Sequence, residues 1–121
     1  MINKKHAFSI TLLSATLFIS CFKQDNGFGG SSGINCTPSD ANQVLICNSK
    51  FNPDTLTIKV GSLVTWHNSD VVVHTVVADN SLINSGNIEV SGNFSYHTSF
   101  VGTFQYHCSL HQEAGVLIVE P

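Results

Sequence analysis

Apolar and polar residues alternate with a period of two over most of the chain beyond residue 40, the pattern of half-buried strands. The alternation is cleanest from Thr55 to Val60. There Leu56, Ile58 and Val60 fall on one face and Thr55, Thr57 and Lys59 on the other. From Leu63 to Asn68, Val64 and Trp66 share a face. Val71 to Ala78 is almost wholly apolar apart from His74 and Thr75, which predicts a strand covered on both sides. Gln43 to Cys47 is a short apolar run at the start of the series, and Asn93 to Ser99, Thr103 to Cys108 and Gly115 to Glu120 complete it. Turn signals at Asn52-Pro53-Asp54, Gly61-Ser62, Asn68-Ser69-Asp70, Asp79-Asn80 and Gly86-Asn87 separate the runs, with a weak strand or loop between the last two. No stretch beyond residue 20 carries a 3.6-residue apolar period. Seven to eight short strands in about ninety residues predict an all-β fold, an antiparallel Greek-key β-sandwich.

The same alternation sorts the chemistry at the end of the chain. Along Thr103 to Cys108, the side chains of Phe104, Tyr106 and Cys108 share one face and those of Thr103, Gln105 and His107 the other. The aromatic face is the core face, so Cys108 points inward and His107 points out. Ser109 and Leu110 then make a short loop that can swing His111 back toward the thiol. His74, thirty-four residues before Cys108, lies in phase with Val72 and Val76 in the apolar run. A histidine there is costly unless both ring nitrogens are satisfied, which a metal on one and a hydrogen-bond acceptor on the other would achieve. One thiolate and two imidazoles in a β-rich chain are the ligand set of a mononuclear copper site, with metal ligands His74, Cys108 and His111. Divalent copper binds such nitrogen and sulfur donors more tightly than zinc, and zinc ordinarily takes a fourth strong ligand. His67 and His97 have polar neighbours and are expected at the surface, and Trp66 in the core. A thiol–histidine nucleophile is disfavoured, because the thiol looks inward and no orienting acid or oxyanion loop accompanies it.

The N-terminal third is of another character. Residues 1–20 read as a signal peptide, with Lys4 and Lys5 ahead of an apolar stretch from Ala7 to Ile19 that is too short to span a bilayer. Phe18-Ile19-Ser20-Cys21 resembles a bacterial lipoprotein cleavage box, which would make Cys21 a lipid-bearing N-terminus; the alternative is a plain signal peptide and a free Cys21. Residues 21–33 form a Gly/Ser-rich flexible tether, leaving residues 34–121 as the folded domain. Export places the protein in the periplasm or cell envelope. In that oxidising setting Cys36 and Cys47 are expected to form a disulfide, the competing role being a share in a metal cluster. The domain holds two lysines, no arginine and seven acidic residues, a net charge of −5. That balance excludes nucleic acid as a partner, since phosphate neutralisation needs basic clusters, and suits a basic protein partner.

Four stretches carry a family resemblance. These are Phe51 to Gly61 (FNPDTLTIKVG), Val64 to Asn68 (VTWHN), His74 to Val76 (HTV) and Gly102 to His111 (GTFQYHCSLH). They resemble the cupredoxins of the plastocyanin/amicyanin-like group, from about Val44 to the C-terminus. The resemblance implies one type 1 copper ion on His74, Cys108 and His111. It also implies one-electron transfer between redox partner proteins through the solvent-facing edge of His111, by a monomer that is not an enzyme. Its ligand loop reads C-x-x-H-x-x-M, which would put methionine at residue 114, where this chain has Ala114. The only methionine is Met1. The loop is also a residue short, so the axial position falls to Gln112, Glu113, a backbone carbonyl or nothing. The second function the residues allow is copper binding for delivery, storage or sensing.

Overall fold

The computed structural model describes residues 34–121. The signal peptide expected over residues 1–20, the tether expected over residues 21–33 and the lipid expected on Cys21 lie outside the described residues. Eight strands run in order: β1 (Gln43–Ile46), β2 (Phe51–Asn52), β3 (Thr55–Lys59), β4 (Leu63–Asn68), β5 (Val77–Ala78), β6 (Asn93–His97), β7 (Gly102–His107) and β8 (Ala114–Glu120). They form two four-stranded sheets, β2-β1-β4-β6 and β3-β8-β7-β5. Inward residues of both meet in one core that includes Val44, Ile46, Ile58, Trp66, Phe104 and Leu117. The all-β sandwich expected from the alternation is therefore the fold, with no helix among the described residues.

The fully antiparallel arrangement is not what forms. β1 runs parallel to β4, and β3 runs parallel to β8. The chain passes from one sheet to the other between β2 and β3 and again between β3 and β4, so strands distant in sequence become neighbours. Pairing by alternation alone cannot tell parallel from antiparallel partners.

A second correction concerns the apolar run at 71–78. Only Val77–Ala78 is strand. His74 makes an isolated bridge to Ile88, with its N–H donating to the Ile88 carbonyl at 3.2 Å and its carbonyl accepting from the Ile88 N–H at 2.7 Å. Val71 is 74 % exposed, so part of the run belongs to the surface. No ladder forms beyond that bridge, because Thr75 gives its N–H to Cys108 Sγ in the neighbouring ligand loop. Val60, expected on the core face, is also exposed, since β3 ends at Lys59.

A tight turn and a close strand approach fix local geometry. Cys47 and Lys50 exchange backbone hydrogen bonds around Asn48 and Ser49, whose φ angles of 55° and 57° make a left-handed two-residue hairpin turn between β1 and β2. The Cys36–Cys47 disulfide, present as expected, pins the first described residues to the end of β1. The close approach is between β7 and β8, where Gly115 packs under Tyr106. A Cβ there would stand 2.5 Å from both the ring Cζ and the hydroxyl oxygen. Only glycine lets β8 approach β7 this closely beside the ligand loop.

Candidate metal centre

β7 ends where β5 and β8 begin, because Val77 and Ala114 both pair with His107. The segments leading out of β7 and into the other two strands therefore converge at one end of this sheet. Cys108 follows β7 directly, His74 lies just before β5, and Glu113 immediately precedes β8. Three inward alternations along β7 bury Phe104, Tyr106 and Cys108, and leave His107 half-exposed with its Nδ1 3.1 Å from Asp79. The expected division between Cys108 and His107 holds. His67 and His97 stand apart from the cluster, His67 hydrogen-bonded to Asn93.

Cys108 Sγ lies 3.8 Å from His74 Nδ1 and 3.5 Å from His111 Nδ1. The two imidazole rings are 4.7 Å apart and tilted by 54°. His74 is fully buried and Cys108 nearly so, whereas the His111 side chain is 38 % exposed. The structure thus brings together all three residues singled out from the sequence. A fourth joins them. Glu113, with a side chain only 3 % exposed, places Oε1 2.5 Å from His74 Nδ1 and 3.7 Å from His111 Nδ1. The four donor atoms lie within 4.8 Å of one another. Gln112 and Ala114 are exposed. The position where the family loop would carry methionine thus faces solvent.

Donor atoms sharing a transition metal at bond lengths of about 2.0–2.3 Å stand roughly 3.2–3.8 Å apart. Each imidazole nitrogen stands at that spacing from the thiol sulfur. The Glu113–His74 contact is closer, the distance of a hydrogen bond, and sharing an ion requires that bond to give way. A soft thiolate with two imidazoles suits copper in either oxidation state.

Residues that no motif singled out hold the ligands in place. Asp70 Oδ2 accepts from His74 Nε2 at 3.2 Å and from the Ser49 N–H at 2.8 Å, and its Oδ1 accepts from the Val71 N–H at 2.9 Å. Burial works against its charge, but the two amides and the imidazole outweigh it and hold the carboxyl below the ordinary aspartate value. A carboxylate at Nε2 favours the tautomer that leaves Nδ1, the nitrogen facing the cluster, free to bind a metal. Asn68, fully buried, ties this loop down. Its amide donates to the carbonyls of Val72, Ile88 and Glu89, and its Oδ1 accepts from the Asp70 N–H. Thr75 joins the two ligand loops. Its N–H donates to Cys108 Sγ at 3.4 Å, and its hydroxyl accepts from the Ser109 N–H at 2.7 Å. The sequence signal for Asp70 is its place four residues before His74. Thr75 announces itself only as a polar residue in an apolar run.

A two-sheet β-sandwich that gathers a thiolate, two imidazoles and a carboxylate from loops at one end of a sheet defines a small metal-binding domain of the cupredoxin class. No family model matches the chain. The comparisons with individual proteins agree with that class. A plastocyanin of Scenedesmus fuscus is 36% identical over 77 residues, covering 54% of this chain and 79% of the plastocyanin. Among solved structures, a purple cupredoxin from Nitrosopumilus maritimus superposes with a TM-score of 0.60 at 28% identity, covering 64% of this chain and 98% of that one. A methionine-to-alanine variant of amicyanin in its Cu(I) form gives 0.62 at 29% identity, over 69% of this chain and 86% of the amicyanin. The chain belongs to the cupredoxins, as the sequence motifs indicated.

Proposed function

We propose that this cupredoxin is an electron-transfer protein that holds one type 1 copper ion on His74, Cys108 and His111. The observation that carries the reading is the inward thiol of Cys108, flanked at 3.5 and 3.8 Å by the Nδ1 atoms of a half-exposed and a buried histidine. Bound copper supplies one-electron exchange between its monovalent and divalent states.

The protein's part is to keep the donors fixed whichever state is present. The thiol hangs from the end of a strand paired on both sides, and Thr75 locks the loop after it to the loop that bears His74. Asp70 sets the tautomer of His74. Little then moves when the charge changes, and a small reorganisation keeps the electron step fast. His111, the one ligand with substantial exposure, offers its outer edge to a partner. The protein is an electron carrier and not an enzyme, a monomer that exchanges electrons with redox partner proteins. It is exported to the periplasm or cell envelope and held there by a lipid on Cys21. Its excess of acidic residues favours partners with a basic docking face.

Adding copper to the purified protein and recording visible absorption, electron spin resonance and repeated redox cycles tests this. An intense thiolate-to-copper band that vanishes and returns with reduction and oxidation is expected, and Cys108→Ser should abolish it. A colourless protein that takes only monovalent copper and surrenders it readily would replace electron transfer with copper delivery, storage or sensing.

A further inference from the structure

Glu113 has surroundings that a solvated loop residue would not have. Its side chain is almost fully buried, and among the described residues its ionic partners within 4.0 Å are His74 and His111 alone. A buried carboxylate needs a compensating positive charge. Both ring nitrogens of His74 face carboxylate oxygens, Nε2 toward Asp70 at 3.2 Å and Nδ1 toward Glu113 at 2.5 Å. A neutral imidazole carries one N–H and can satisfy only one of the two. The other contact requires a second proton or a metal ion.

The backbone enforces this aim. The Glu113 carbonyl accepts from the Cys108 N–H at 3.0 Å, closing the ligand loop, and His107 pairs with Ala114 at the next step. Residue 113 is thereby turned toward the thiol and residue 114 away from it. The loop between His111 and β8 is short enough that the inward place falls one residue earlier than the family pattern puts it.

Resting on the copper reading above, we propose that the Glu113 carboxylate takes the fourth metal position, making a two-histidine, one-thiolate, one-carboxylate site in place of the methionine-ligated one. A carboxylate is a harder, anionic donor than a thioether and stabilises the divalent ion over the monovalent one. It also provides the fourth strong ligand that a divalent ion such as zinc or cobalt requires.

The test compares the purified protein with Glu113→Gln, Glu113→Ala and Ala114→Met. Far-ultraviolet circular dichroism on each establishes that the fold is kept, and the near-isosteric Gln variant guards against loss of packing. The readouts are the cobalt(II) ligand-field spectrum, the copper(II) spin-resonance spectrum, zinc affinity by competition, and the reduction potential. Both Glu113 variants should change the cobalt and copper spectra and weaken zinc at least tenfold. They should also lower the copper(II)-to-copper(I) affinity ratio at least tenfold, a rise of 59 mV or more for a one-electron couple. Ala114→Met should leave all four readouts at wild-type values. Spectra and zinc affinity unchanged in both Glu113 variants would overturn the proposal even if the potential rises, because a through-space charge moves a potential without altering coordination. New spectra in Ala114→Met would overturn the loop register on which it rests. If the wild-type protein forms no thiolate-to-copper band at all, the copper reading fails, an outcome separate from any change on substituting Glu113.

Discussion

Asp70 is the residue through which loop structure should be convertible into metal affinity. Asp70→Ala removes the only side-chain acceptor seen for His74 Nε2 among the described residues, in a ring that is fully buried. A buried donor left without a partner costs about 1–3 kcal/mol. Without the carboxylate nothing holds the proton on Nε2, and the tautomer with Nδ1 free for metal loses its advantage. Loss of such an outer partner typically weakens metal binding by about 10–100-fold, or roughly 1.4–2.8 kcal/mol. The Ser49 and Val71 amides lose their acceptor as well, which loosens the left-handed turn between β1 and β2. Asp70→Asn keeps one oxygen for Nε2–H but removes the charge, so its affinity should fall between the two. Competition against a chromogenic copper chelator measures all three proteins on one scale, and thermal unfolding of the metal-free forms separates the affinity loss from a general loss of stability. The order Asp, Asn, Ala in falling affinity is expected. Alanine binding within twofold of wild type would refute the argument that Asp70 positions His74.

Two further expectations concern the core beneath the site. Burial drives the Tyr106 hydroxyl up to about 12, with the Trp66 indole acting in the opposite sense and Asp54 adding to the rise. The fold favours neutral tyrosine, so this group adds no pH-dependent cost below the unfolded value near 10. Stability then falls as the pH climbs from about 10 to 12, by some 2–3 kcal/mol in urea unfolding. Tyr106→Phe should lack that part of the decline, and an identical pH profile in the two proteins would show the hydroxyl to be better solvated than it looks. Gly115→Ala drives a methyl into the Tyr106 ring and should cost about 1–3 kcal/mol. The melting temperature should then fall by about 4–8 °C per kcal/mol, and an unchanged melting point would mean that β8 can move away from β7 freely.

The alternation along the chain determined most of the strand set and, at the decisive place, which way each side chain of β7 points. Cys108 inward and His107 outward follow from a period of two and an aromatic face, and both are local properties. His74 stood out for the same kind of reason, a titratable ring among valines. The run around it misled, because eight largely apolar residues look like a buried strand whether or not a ladder exists for them. The backbone of His74 pairs with Ile88 alone, Thr75 serves the ligand loop, and Val71 is left to solvent. The parallel pairings of β1 with β4 and β3 with β8 were likewise invisible, since nothing in a strand's own pattern names its neighbour.

The loop after His111 shows where sequence reasoning stops. Counting from His111 put the family's methionine position at Ala114, and left Gln112, Glu113, a backbone carbonyl or nothing for the axial place. The register of β7 against β8 pairs His107 with Ala114 and brings Glu113, not Gln112 or Ala114, into the cluster. Asp70 reaches His74 through the same kind of non-local agreement, held by Asn68 beneath it and by the Ser49 amide twenty-one residues earlier in the chain. Amino-acid order alone determined most of the strand faces and singled out the thiol and its two histidines, because alternation and the spacing from Cys108 to His111 are local properties. Tertiary structure alone decided which carboxylates surround them, because a side chain's place in a cluster depends on how distant segments come into register.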